Sequence, residues 1–307
     1  MKRILLLGAN GQLGTELRRS LVPLGEIVAA TLSGRIDDAE CEAADFADPQ
    51  SLQPLVERVA PDIVVNAAAH TAVDRAEQER DLAFAINAEA PEVLARACAA
   101  RDARLVHYST DYVFDGRGTR PYREDDPSNP LGVYGASKRA GELAIAAAGC
   151  RHLILRTAWV YAAHGKNFLR TMLRLGEARD ALAVVADQCG SPTSADLIAD
   201  ASAAIVRDVI AGRHPGQPIY HLTAGGSTTW HGFAEAIFDG AHARGLLERR
   251  PRVQPIGTAE FPTRAARPAF SVLDHTAVQR DFTFALPHWQ AGLARVLDTL
   301  ARARHER

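Results

Sequence analysis

Lys2-Arg3-Ile4-Leu5-Leu6-Leu7-Gly8-Ala9-Asn10-Gly11-Gln12-Leu13-Gly14 is the stretch that decides the fold. Residues 3–7 form a short apolar run that ends on a glycine, the pattern of a strand buried on both faces. Residues 12–21 follow with helical spacing. Between them Gly8, Gly11 and Gly14 stand three residues apart. Glycines there let the chain turn tightly and let a diphosphate approach the N–H groups of the next helix. Gly14 would let that helix pack closely on the strand. The apolar part is too short for a secretory leader, so it reads as a first strand.

Outward from this turn, strand-like and helix-like segments alternate. Strands are expected at 27–31, 63–66, 105–109 and 153–157, and helices at 51–60 (with Ser51 as its cap), 81–100 and 134–148. That alternation predicts an α/β protein, a Rossmann-type doubly wound parallel sheet. Residues 115–130 interrupt it with Gly116, Gly118, Pro121, Pro127 and Pro130, a long loop of the kind that rims a site. Beyond Thr157 the rhythm is less regular and rich in proline. The expected division is a cofactor-binding domain at 1–157 with a return around 187–222. A smaller, interleaved C-terminal substrate lobe would take 158–186 and 223–307, its tail at 301–307 a charged helix end.

The 307 residues carry 35 Lys+Arg against 37 Asp+Glu, a net charge of −2. A nucleic-acid or polybasic membrane-surface protein would carry a basic excess, so neither partner is expected. No apolar stretch reaches the roughly 18–20 residues of a membrane helix. Cys41, Cys98, Cys150 and Cys189 form no CxxC pair, which suits a reduced, cytoplasmic compartment.

The second strand ends in Ala30-Thr31-Leu32-Ser33-Gly34-Arg35, with no acid until Asp37. A carboxylate at that point would hold an adenosine ribose hydroxyl and select NAD. Ser33 and Arg35 could instead accept a 2′-phosphate, so NADPH is expected, with NADH as the alternative; Arg35 reads equally as a solvated loop charge. Asp45 and Phe46 could flank the adenine, and Ala67, Ala68 and Ala69 leave room for a cofactor beyond a strand end.

Tyr134 and Lys138 stand at i and i+4, on one face of a helix. A cation close to a phenol favours phenolate and lowers its pKa, which would make Tyr134 a general acid. Thr110 ends the 105–109 strand, where ligands of open α/β sheets sit, and its hydroxyl could donate to a substrate carbonyl.

These motifs together resemble the extended short-chain dehydrogenases/reductases. Val65–Asp74, His107–Gly116, Leu155–Tyr161, Asp187–Thr193 and Arg267-Pro268 look more closely like the dTDP-4-dehydrorhamnose reductase family within them. The resemblance runs over essentially the whole chain. It implies NADPH-dependent reduction of the C4 ketone of dTDP-4-dehydro-L-rhamnose, the last step of dTDP-rhamnose formation for cell-surface polysaccharide. It implies Tyr134 as proton donor, Thr110 stabilising the same oxygen, and Lys138 tuning Tyr134 and holding the nicotinamide ribose. By the family pattern Gly11, Gln12, Leu13, Asp45, Phe46, Ala67, Ala68, Ala69 and Tyr108 line the cofactor, and Thr110, Asp111 and Trp159 contact the dTDP-sugar. Without the resemblance, Trp159 would read as packing between lobes.

Some family members pair as homodimers through a glutamate-bound Mg²⁺. Glu16 fits the first ligand, Asp196 stands at the second, and Thr299 at the third with Asp298 beside it. A hydroxyl is a poor substitute for a carboxylate on a hard cation, which argues against a metal bridge and leaves a metal-free homodimer open. His70, His107 and His164 receive no catalytic role; His107, on a strand, reads as a hydrogen-bonded core histidine. The competing readings are a nucleotide-sugar dehydratase or epimerase and a non-catalytic NADP-binding regulatory subunit. A dehydratase would carry a second acid where Tyr112 stands, and the intact Thr110, Tyr134 and Lys138 set favours an enzyme.

Overall fold

The computed structural model describes residues 1–213, 215–282 and 284–305. Its centre is a sheet of seven strands, all parallel: β1 (Lys2–Leu7), β2 (Gly25–Thr31), β3 (Glu42–Ala43), β4 (Ile63–Asn66), β5 (Arg104–Thr110), β6 (Arg151–Thr157) and β8 (Ile219–His221), in the spatial order β8-β6-β5-β4-β1-β2-β3. The order reverses at β1, which lies between β2 and β4. Ligands of such sheets bind beyond the strand ends at that crevice.

Side chains of β1 alternate between two cores, because successive residues of a strand face opposite ways. Leu5 and Leu7 pack with Leu52, Leu55 and Val56 of α2 (Leu52–Val59) and Leu94 of α3 (Ala90–Ala100). Ile4 and Leu6 pack with Leu17 of α1 (Gln12–Ser20) and with Ile198 and Ile205 of α6 (Ala195–Ile210). A strand covered on both faces has no polar side to present, hence the uninterrupted Ile-Leu-Leu-Leu run.

Three local expectations change. Ser51 caps nothing: it ends a 3₁₀ turn at Pro49–Ser51, and its hydroxyl donates back to the Asp48 carbonyl at 2.7 Å. The long helix expected over 81–100 is three pieces, an α turn at Arg80–Phe84, a π turn at Ala85–Glu89, and α3. Pro91 has no N–H to give the Asn87 carbonyl, and that carbonyl instead abuts Gly141 so closely that a Cβ there would lie 2.1 Å away. The 115–130 loop is irregular, as expected, but has a core of its own. Tyr122 stacks on Phe114 at 4.3 Å, and both pack with Val113 and Leu273.

The C-terminal region supplies α5 (Phe168–Ala178), α7 (Trp230–Ala243), α8 (Trp289–His305) and a parallel ribbon of β7 (Ala181–Val185) with β9 (Arg252–Ile256). Phe233, Phe238 and Leu293 join the same apolar core as α1 and α6. Of the expected helical tail, Glu306 and Arg307 lie outside the described residues. Among the described residues no helix is long and apolar enough to cross a membrane, and the four cysteines are free thiols.

Candidate active site

Gly8 sits at the reversal of the sheet with φ +72°, a left-handed conformation that glycine adopts without cost. A Cβ on it would meet the Ala68 nitrogen at 2.7 Å. Helix α1 starts at Gly11 with no side-chain cap, so its first N–H groups are free for an anion. A Cβ on Gly14 would fall 2.0 Å from the Gly8 carbonyl oxygen. The turn is thus a cradle of bare backbone between Gly8–Gly14 and Ala67–Ala69. Gln12 is anchored on its outer side, its Oε1 accepting from Asn167 Nδ2 at 2.8 Å, while Leu13 packs on the core beneath.

At the end of β2, Thr31 Oγ1 accepts the Arg35 N–H at 3.1 Å, and the exposed Arg35 guanidinium donates to the Asp38 carbonyl at 2.9 Å. Asp45 is exposed and accepts the Ala47 N–H, while Phe46 is buried against α2. Tyr108, expected to line the cofactor, turns its side chain away from the strand-end crevice. Its ring lies in the α6-side core, where its hydroxyl donates to Ser202 Oγ at 2.8 Å. What it presents towards Lys138 is its carbonyl, which accepts from Nζ at 2.6 Å.

Tyr134 and Lys138 lie on α4 (Val133–Ala147). The helix is pressed onto the segment after β5: a Cβ on Gly135 would stand 2.1 Å from the Tyr112 carbonyl. Tyr112 meets Tyr134 edge-on at 5.8 Å. A cleft beside Tyr134 is lined by Val73, Tyr112, Leu131, Gly132 and Pro268. Thr110 Oγ1 donates to Asp111 Oδ1 at 2.9 Å and accepts the Tyr112 N–H at 3.1 Å, which fixes the hydroxyl on the Tyr134 side of the strand end.

The electrostatics revise the i, i+4 argument. Desolvation pushes Tyr134 up to about 12, with a hydrogen bond to Thr110 pulling the other way and Asp111 adding to the rise. The Lys138 ammonium does not offset this. Lys138 is 2% exposed, and burial brings it down to about 8, against the favourable charge of Glu142. Its Nζ lies 3.1 Å from His107 Nε2 as well as on the Tyr108 carbonyl. Glu142 is itself spoken for, by a two-pronged pair with buried Arg156 (2.8 Å on each oxygen) and by Arg139. Burial pushes the Asp111 carboxyl up to about 6, and its Oδ2 has no hydrogen-bond partner.

Trp159 follows β6 with φ +47°, strained for a bulky residue. Its ring stacks on Trp230, centroids 3.5 Å apart and planes 1° from parallel. A Cβ on Gly190 would touch that ring at 2.4 Å. Trp159 is therefore held flat between a glycine and a second indole. Spacing alone did not reveal Trp230 or Asn87. Asn87, on the π turn, donates to Ser137 Oγ at 3.0 Å on α4 and brackets the His70 backbone. Arg267 grips Asp74 (2.6 and 3.3 Å), tying the C-terminal segment to the turn beside Tyr112.

The residues expected around Mg²⁺ do not fit an ion. Glu16 is paired with Arg19 and His164, Asp196 with Arg295, and the Thr299 hydroxyl donates to the Arg295 carbonyl. Among the described residues no group of three or more His, Cys, Asp or Glu side chains is gathered to hold a metal.

A family model described as the RmlD substrate binding domain matches residues 1–302. The dTDP-4-dehydrorhamnose reductase of Salmonella typhimurium is 45% identical over 96% of each chain. That of Burkholderia thailandensis is 46% identical over 94% of this chain and 95% of its own. The crystal structure of the Bacillus anthracis dTDP-4-dehydrorhamnose reductase in complex with NADP matches with a TM-score of 0.85 at 35% identity, covering 97% of this chain and 99% of that one.

Proposed function

The chain belongs to the RmlD substrate binding domain family, and from that premise we propose that it is an oxidoreductase that reduces the C4 ketone of dTDP-4-dehydro-L-rhamnose to dTDP-L-rhamnose with NADPH. The observation that carries this reading is the approach of Thr110 to Tyr134, with Lys138 one turn along the same helix and bound to the Tyr108 carbonyl, at the strand ends that carry the bare glycine cradle. Bound NADPH would supply the hydride. The turn of Gly8, Gly11, Gln12, Leu13 and Gly14 would receive its diphosphate on the free N–H groups of the first turn of α1, and Ala67–Ala69 leave it room. Arg35 and Ser33, with no acid before Asp37, favour the 2′-phosphate, and the Bacillus anthracis relative holds NADP.

On the sugar, negative charge develops at the C4 oxygen as the ketone is reduced. The Tyr134 hydroxyl donates its proton there, and Thr110 Oγ1, turning its one hydrogen from Asp111 Oδ1, donates a hydrogen bond to the same oxygen. Asp111 Oδ2, buried and unpartnered, accepts from a sugar hydroxyl, and Trp159, fixed between Gly190 and Trp230, is the aromatic side chain beside it in this reading. The sugar nucleotide lies against residues 158–186 and 223–307, the substrate lobe in this reading.

The test is to supply enzymatically made dTDP-4-dehydro-L-rhamnose and follow loss of NADPH absorbance. Turnover with kcat/KM for NADPH at or above that for NADH is expected. No turnover with either cofactor would overturn the assignment, and a severalfold advantage for NADH would overturn the cofactor choice.

A further inference from the structure

An asparagine far from the glycine turn in sequence decides which way a side chain of that turn is offered. Asn167 caps α5: its Oδ1 accepts the Arg170 N–H at 3.0 Å. The other end of its amide is therefore Nδ2, which can only donate. The Ala162 and His164 carbonyls, each 3.0 Å from Nδ2, agree with that orientation. The shortest contact of Nδ2, at 2.8 Å, is with the side chain of Gln12. Only the oxygen of a glutamine amide can accept there, so Oε1 is taken and Nε2 is the end left without a partner among the described residues. The rest of the loop pins the stem of Gln12. A Cβ on Gly165, whose φ is +70°, would press on Gln12 Cγ at 2.9 Å, and His164 Nε2 donates to the Gln12 carbonyl at 3.1 Å. Gln12 is half-buried and opens α1, where no side chain caps the N–H groups.

We propose that Asn167 is a positioning residue for the cofactor: it turns the Gln12 amide so that its NH₂, and not its oxygen, is offered to the diphosphate. The proposal rests on the NADPH reading above. The last torsion of a glutamine is broad and roughly two-fold, so an unanchored Gln12 would present its oxygen to an anion about as readily as its nitrogen. With Oε1 held by Asn167, the amide adds donors beside the uncapped N–H groups of α1, and hydrogen bonds to an ionised acceptor are the strong ones. Capping by itself does not call for asparagine at 167. Serine, threonine or aspartate would accept the Arg170 N–H as well; what asparagine adds is Nδ2, whose three acceptors are the two loop carbonyls and Gln12. The segment that follows Trp159 thus reaches back 155 positions to set a donor at the first turn of the chain.

A double-mutant cycle on the whole protein, read by fluorescence titration with NADPH, tests this. Gln12→Ala removes the amide and should weaken NADPH binding roughly tenfold, as expected for one hydrogen bond to a charged group. Asn167→Ser keeps a cap on α5 but is too short to reach Gln12. It should weaken NADPH binding roughly three- to tenfold in the wild-type background, and by less than about twofold when Gln12 is already alanine, because the two residues act through one bond. The loss should fall on KM for NADPH, while KM for the keto sugar, measured at saturating NADPH, does not move with it. Gln12→Glu leaves one oxygen for Asn167 and sets the other against the diphosphate, and a loss of roughly a hundredfold is expected. Equal losses from Asn167→Ser in both backgrounds would mean that Asn167 only shapes its own loop, and would overturn the proposal. Unchanged NADPH affinity in Gln12→Glu would overturn it too, and that measurement stands even where Asn167→Ser does not fold. Wild-type protein that binds no NADPH would instead overturn the cofactor reading beneath the proposal.

Discussion

At the residue scale, the proton donor is the sharpest claim. Tyr134→Phe keeps the ring against Tyr112 and removes only the hydroxyl. Steady-state kinetics should give a kcat loss of roughly 10²–10⁴-fold, while a fluorescence titration finds NADPH affinity nearly unchanged. Thr110→Val should cost less, because it removes one hydrogen bond to the developing oxyanion and leaves the proton. A second expectation concerns Asp111, whose carboxyl is raised to about 6 by burial. Its charged form accepts a sugar hydroxyl better than the acid, so KM for the keto sugar should rise as pH falls through 6 and level off above 7. A KM flat from pH 5 to 8 would remove Asp111 from the sugar site. The pairing of Tyr134 with Lys138 was legible from their spacing. The direction of the Tyr134 shift was not, because it depends on how deeply the folded chain buries the phenol and on Asp111 beside it, neither of which spacing reveals. The outward turn of the Tyr108 phenol to Ser202 was not legible for a related reason: period two names the two faces of a strand without saying which helix covers each.

At the scale of elements, the glycine turn is the most constrained piece of the molecule. Gly14→Ala would place a methyl 2.0 Å from the Gly8 carbonyl oxygen, in fixed backbone. Helix α1 would have to lift from β1, and with it the free N–H groups of its first turn, which begins after Gly11. We expect NADPH binding to fall below detection in a fluorescence titration while far-ultraviolet circular dichroism stays near wild type; ordinary binding by Gly14→Ala would mean that α1 does not seat the diphosphate. Five strands, β1, β2, β4, β5 and β6, were easy to read because their apolar runs are short and end at Gly, Asn or Thr, whereas the edge strands β3 and β8 have only two and three residues and show no period. The break at Ala85–Glu89 was not, since an Ala-rich segment looks helical throughout. Pro91 gives a local hint, but the π turn also answers to Gly141 on another helix, a contact invisible in one dimension.

At the scale of the whole molecule, the donor set near α1 bears on assembly. Glu16 and Asp196 are each engaged by cations, and a threonine hydroxyl occupies the third place. Activity and sedimentation behaviour should therefore be unchanged after exhaustive EDTA treatment; loss of both, restored by Mg²⁺, would show that these side chains rearrange around an ion. The parallel sheet and its reversal followed from strand–helix alternation, whereas the course of the chain after Thr157 did not, because its elements are short and proline-broken and their partners lie far away in sequence. One pair of those partners is Trp159, after the last long strand of the sheet, and Trp230, at the start of a helix of the other region. Two of the chain's three tryptophans thus form one parallel-stacked pair of indoles at the residue expected to meet the sugar nucleotide. The protein carries a built-in optical gauge: a ligand that docks against Trp159 perturbs the coupled indoles and changes their near-ultraviolet signal, so its arrival can be timed in a stopped-flow instrument with no label attached.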